Sequence, residues 1–194
     1  MKSLIFLLFT LVVACTSLSP SLSPLDHSNA PDGSETIQVV VKPVVTSGIR
    51  SEDEQKWGVD LSSYFTAFEV RIINRTNTEI TFDPGSARLA SVDQKSFSLN
   101  EKEAIQYYMN SSGEPVVTLI PKSSAIIEDE TKKIRAARVR GGEIESGGKK
   151  EGLIFFKKVS PKKCKEVTLE LDVAVRESGE KKSFSFPFSC DGTS

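Results

Sequence analysis

Histidine is almost missing from this chain of 194 residues: there is one, His27, and it lies in a Ser/Pro-rich stretch near the N-terminus. A Ser-His or Cys-His nucleophilic couple, or a zinc site that includes histidine, therefore cannot be assembled from residues 36–194. Cysteine is scarce too, with three in all and no Cys-x-x-Cys, which removes the usual activated dithiol. Neither sign of charge dominates: 25 Lys+Arg face 26 Asp+Glu, so neither a nucleic-acid binder nor a polyanionic tail is indicated. The longest apolar run, Leu4 to Val13 with Thr10 inside it, is half of the roughly 20 residues that a membrane-spanning helix needs.

What is present begins with that run. Lys2, the apolar stretch, and then Ala14, Cys15, Thr16 and Ser17 follow the order of a secretory signal, with a basic end, an apolar middle and a small-residue cleavage point. Val12-Val13-Ala14-Cys15 resembles the lipobox of bacterial lipoproteins. The resemblance implies removal of residues 1–14, a diacylglyceryl group on the Cys15 thiol and a further acyl chain on its amine, with no other cofactor. An ordinary signal peptidase would also accept this bond, leaving a soluble secreted chain. The odd cysteine count favours lipidation, since with Cys15 acylated Cys164 and Cys190 remain as a pair. Each buried methylene contributes about 0.8 kcal/mol, so two or three chains would hold the protein on its membrane. Thr16 stands where an Asp retains many Gram-negative lipoproteins in the inner membrane, which favours the outer membrane where there is one.

Residues 15–35 read as lipidated Cys plus a disordered tether: Thr16 to Glu35 is rich in Ser and Pro, with isolated leucines and no period. Twenty such residues extended would hold a domain as much as ~60 Å from the bilayer. Residues 36–194 are long enough for one domain with its own core.

Strand patterns dominate that domain. Thr36 to Val45 is β-branched, with Pro43 implying an edge position or a strand end. Tyr64 to Asn74 places Phe68, Val70 and Ile72 on one face and Glu69 and Arg71 on the other, and Asn74 to Thr78 predicts a turn returning into a hairpin strand, Glu79 to Phe82. Short strands are expected at Ser86 to Val92, Ser96 to Leu99 and Val116 to Ile120. Between 100 and 140 the period changes to helical. Asn100 caps one helix with Ala104, Tyr107 and Tyr108 at helical spacing. Ser123 to Arg140 predicts a second, acidic early and basic late, with Glu128–Lys132 and Asp129–Lys133 four apart and Gly141-Gly142 as its stop; Ile126-Ile127 could also close a strand. Gly152 to Val159, Glu166 to Val175 and Ser183 to Cys190 are again strands, the last two joined by a turn at Ser178-Gly179, with Pro187 suggesting an edge. The expected fold is mainly β, an antiparallel sandwich with a helical insertion at 100–140.

The run Phe68-x-Val70-x-Ile72-Ile73-Asn74, its turn, Ile80-x-Phe82 and the glycine-flanked Gly152-Leu153-Ile154-Phe155-Phe156 resembles immunoglobulin-like domains of exported bacterial lipoproteins. In those domains the Asn starts the first hairpin and the glycine-rich segment precedes a central strand. The resemblance implies an immunoglobulin-like β-sandwich used for binding or scaffolding.

Of the remaining candidates, Cys164 and Cys190 flank the last hairpin and are expected to form a structural disulfide. Seven lysines (Lys149, Lys150, Lys157, Lys158, Lys162, Lys163 and Lys165) share a stretch with one acid, Glu151, and could touch anionic envelope polymer or lipid headgroups. Their bland role is to solubilise turns and guard sheet edges. Ser160-x-x-Lys163 and Ser178-x-x-Lys181 lack the companion motifs of penicillin-recognising enzymes. Gly148-Lys149 lacks the flanking residues of a phosphate loop, and no catalytic or metal site is expected. The sequence thus predicts a non-enzymatic envelope lipoprotein, attached to the membrane by its lipid and partnered with an envelope protein. The rivals are a carrier of a small apolar ligand and a histidine-independent glycan-acting enzyme with paired carboxylates.

Overall fold

A computed structural model describes residues 21–25, 36–45, 52–91, 94–112, 122–159 and 164–191. The expected strand at Val116 to Ile120, the signal segment, Cys15, His27, Ser160, Lys162 and Lys163 lie outside them.

Among the described residues, ten strands form two antiparallel sheets. The larger runs β1 (Ser21–Pro24), β10 (Lys181–Asp191), β9 (Glu166–Val175), β4 (Ile80–Phe82), β7 (Gly142–Ile144); β5 (Arg88–Ser91) also pairs with β9, and β6 (Lys95–Phe97) with β5. The smaller runs β2 (Ile37–Pro43), β3 (Phe65–Asn74), β8 (Lys149–Lys157). Every second residue of β9, Val167, Leu169, Leu171 and Val173, is buried, and so are Phe68, Val70 and Ile72 of β3. These two rows face each other, and the Phe68 ring meets those of Phe156 and Phe188 at 6.1 and 5.1 Å between centroids. Phenylalanines thus fill the sandwich interior.

A third layer covers the outer face of the small sheet. Helix α2 (Glu101–Ser112) starts from a capping box in which Glu103 N–H donates to Asn100 Oδ1 and Asn100 N–H to Glu103 Oε2, at 2.9 and 2.8 Å. Helix α3 (Ser124–Ala137) starts at Ser123, whose hydroxyl accepts from Ile126 N–H. It carries the expected pairs Lys132–Glu128 and Lys133–Asp129 four apart. Tyr108, Ala104, Ile134 and Ala137 of these helices pack on Phe65, Ala67, Leu153 and Phe155. The apolar run of β8 is unbroken because both its faces are buried, Ile154 and Phe156 toward the other sheet, Leu153 and Phe155 toward the helices. The fold is mainly β, an antiparallel sandwich with the helical insertion where it is expected. One further helix, α1 (Glu52–Trp57), opens with the acidic run Glu52-Asp53-Glu54.

Four expectations are corrected. Asn74 does not start a hairpin: β3 belongs to the small sheet and β4 to the large one, so the turn carries the chain across the sandwich. The glycine-flanked strand β8 is not central, since β3 lies between it and β2. Pro187 does not mark an edge, because β1 pairs with β10 beyond it. Its carbonyl accepts from Leu25 N–H at 3.1 Å, so the donor it lacks is on the β1 side, where the ladder stops. Lastly, Ser21–Pro24 was expected in the disordered tether but is a strand, with Leu22 buried in the core opposite Cys190. Pro43, by contrast, lies on edge strand β2 as expected; Val44 donates to Ala67 O, so the alternation of the ladder turns position 43 to the open side.

Candidate functional site

Strand register sorts the expected site residues by end of the sandwich. At one end, Ser21 pairs with Asp191, Glu166 with Ser189, and Phe65 with Lys157. The disulfide Cys164–Cys190 lies there, with Cα atoms 5.6 Å apart, next to the bond from Cys190 N–H to Lys165 O. By closing a loop of 26 residues it stabilises the fold by about 3 kcal/mol in the chain-entropy picture. At the opposite end are Asn74, the turn 145–148, and the tip of the β9–β10 hairpin.

The five of these lysines that lie among the described residues do not form one patch. Lys149 and Lys157 are at opposite ends of β8, eight residues and so about 27 Å apart at strand spacing. Lys150 Nζ donates to Gly141 O at 2.7 Å. Lys158 Nζ donates to Ser63 O at 3.0 Å, half-buried, and burial lowers its pKa. Lys157 and Lys165 are exposed beside the disulfide end. A sequence run of like charge becomes a patch only if the chain keeps it on one side, and a nine-residue strand does the reverse.

The structure assembles one ionic cluster that sequence reasoning missed. Lys122 Nζ lies 2.8 and 2.7 Å from the two Glu130 oxygens and 3.3 Å from Tyr108 Oη, and it sits 5.1 Å from the centre of the Tyr64 ring. Tyr108 Oη donates to Glu130. Tyr107 and Tyr108 were read from the sequence as a helix face; the ionic partners of Tyr108 come from the middle of α3 and from the residue before its cap, and no local spacing signals that meeting. Burial, then the Glu130 carboxylate, raises the Tyr108 pKa, and burial raises that of Tyr64. For Lys122 burial works against the ammonium, but Glu130 and Tyr64 together outweigh it and its pKa is raised.

All three groups keep their protons to higher pH in the fold than in the unfolded chain. The stability they contribute is complete below their unfolded values near pH 10 and is lost as pH rises through the folded ones. The urea midpoint is therefore expected to be insensitive to these groups below about pH 9 and to fall above about pH 10. Glu130→Gln should cost about 1–2 kcal/mol at neutral pH and make the alkaline fall shallower. An alkaline limb identical in both proteins would contradict the assignment. The cluster is closed on itself and ties the helical layer to the sheet.

A surface cleft lies where α2 begins and α3 ends, lined by Asp83, Asn100, Glu101, Arg135, Arg138 and Arg140 among others. Its carboxylates are engaged in structure: Asp83 accepts from Gly85 N–H at 2.9 Å, and Glu101 pairs with Arg135 at 2.8 Å. Arg138 donates to Leu99 O at 2.5 Å. Among the described residues no group of three His, Cys, Asp or Glu is placed to hold a metal, and no helix is long and apolar enough to cross a membrane. Comparison with protein-family models, with curated proteins and with solved structures returned no match.

Proposed function

We propose that the chain is a lipid-anchored envelope lipoprotein whose β-sandwich, immunoglobulin-like in use, serves as a non-catalytic interaction or scaffold module. Cys15 is its attachment point and an envelope protein its partner, with the outer membrane as its place in a Gram-negative host. The observation that carries the reading is where the described fold begins. Ser21, six residues after Cys15, already stands in the β1–β10 ladder, so a signal-like segment ending in a lipobox runs almost directly into a folded edge strand. Six residues reach at most about 20 Å, against the ~60 Å of a wholly extended tether. A domain held that short works close to its membrane.

Two features support a binding role over the rivals. The phenylalanines that an apolar carrier would need around a cavity are packed against one another. The two carboxylates of the cleft are held by a turn and by an arginine. Fractionation and pull-down test the proposal together. The wild-type chain should partition with membranes and recover an envelope protein, and Cys15→Ser should move to the soluble fraction. A membrane-extracted monomer that repeatedly recovers no partner would overturn the interaction role.

A further inference from the structure

We propose that the disulfide end of the sandwich faces the bilayer and that Lys95, Lys157 and Lys165 rest on anionic phospholipid headgroups. This rests on the reading of Cys15 as the anchor and adds an orientation to it. The first observation is the leash. Ser21 pairs with Asp191 at the end that carries Cys164–Cys190, and six residues bring the anchor within about 20 Å of it. The opposite end, with Asn74 and the β9–β10 tip, is a further strand length away. Turning that end to the bilayer would ask the leash to span the side of the sandwich as well.

The second observation is charge. Lys157 closes β8, Lys165 precedes β9, and Lys95 opens β6 beside the β5 end that pairs Ser91 with Val167. All three are exposed, and none has an ion pair among the described residues. Of the acids at this end among the described residues, Asp60 accepts from Ser62 and Ser63, Glu166 is exposed, and Asp191 closes β10 opposite Ser21. The far end mixes its lysines with the exposed Glu143, Glu145, Glu177 and Glu180. With these three lysines and fewer exposed carboxylates than the far end, the near end is the one that both the leash and an anionic surface favour. Each lysine at such a surface contributes about a fivefold gain in partitioning.

Amine labelling on vesicles tests the orientation. Residues 15–194, which include every described residue, are coupled through Cys15 to a maleimide lipid in vesicles of phosphatidylglycerol and phosphatidylcholine; with Cys164 and Cys190 oxidised, Cys15 is the sole thiol. Acetylation of each lysine is then read by peptide mass. Labelling of Lys95, Lys157 and Lys165 should slow about fivefold or more relative to the uncoupled chain, while Lys149 and Lys181 stay unchanged. Vesicles of phosphatidylcholine alone should abolish the slowing. Equal slowing at all lysines, protection of Lys149 and Lys181 instead, or no protection at any of them would overturn the proposal. Because the link is chemical, the outcome does not depend on whether cells acylate Cys15, so failure of the anchor and failure of the orientation are told apart.

Discussion

Asn74→Ala should lower the stability of the domain by about 3–4 kcal/mol, read as the shift in its urea unfolding curve. The residue is fully buried, and its side chain joins two of the places where the chain crosses between sheets, β3 to β4 and β7 to β8. Its Nδ2 donates to Thr78 O at 2.8 Å within one crossover, and to Ile144 O and Glu145 O at 2.9 and 3.1 Å in the other, between β7 and β8. Its Oδ1 accepts from Thr76 N–H and the Thr76 hydroxyl at 2.9 and 2.6 Å. Alanine leaves these groups without partners, and an unpaired buried polar group costs more than the bond was worth. Asn74→Asp separates bonding from packing: of nearly the same volume, it would set a carboxylate against three carbonyls. The loss should be at least as large as with alanine, and a near-neutral aspartate would show that the side chain only fills space.

Gly152→Ala should be about as damaging, at about 3 kcal/mol or more. A Cβ there would lie 2.6 Å from Val139 N, 2.7 Å from Val139 Cα and 2.9 Å from Ala137 O, and φ is +153°. These are backbone atoms of the segment leaving α3, which is held to β8 by Val139 N–H donating to Leu153 O at 2.9 Å. The helical layer can be seated on the small sheet only if position 152 has no side chain. Gly147 provides the contrast: with φ +73° but nothing within 4 Å of its Cβ position, alanine should cost about 1 kcal/mol. Equal effects at the two positions in urea unfolding would mean that backbone conformation, not the close approach, sets the requirement at 152.

Much of this fold was legible because its strands are long and regularly patterned. β9 forms over the residues its alternation predicts, Glu166–Val175, and both helices begin at the caps that Asn100 and Ser123 supply. The misreadings share a physical origin. A turn such as Asn74 to Thr78 signals that the chain reverses, but not which sheet the three residues of β4 will join; that is fixed by carbonyls 70 residues away, at Ile144. The Ser/Pro composition around Leu22 gave no strand period, because β1 is held by its partner β10 and by one buried leucine. The lysine run is separated because the strand expected from Gly152 begins three residues earlier, which puts Lys149 and Lys157 at its opposite ends. The disulfide could be read in advance because a hairpin centred near Ser178 brings its flanks together whatever the remainder of the fold does.

The lipid on Cys15 is the premise from which location, leash and orientation all follow, and the intact mass of the membrane-extracted chain tests it most directly. The account predicts a protein beginning at residue 15 and heavier than its polypeptide by a diacylglyceryl group and an acyl chain, with Cys15→Ser lacking both. A chain of unmodified polypeptide mass, or one that still carries residues 1–14, would contradict it.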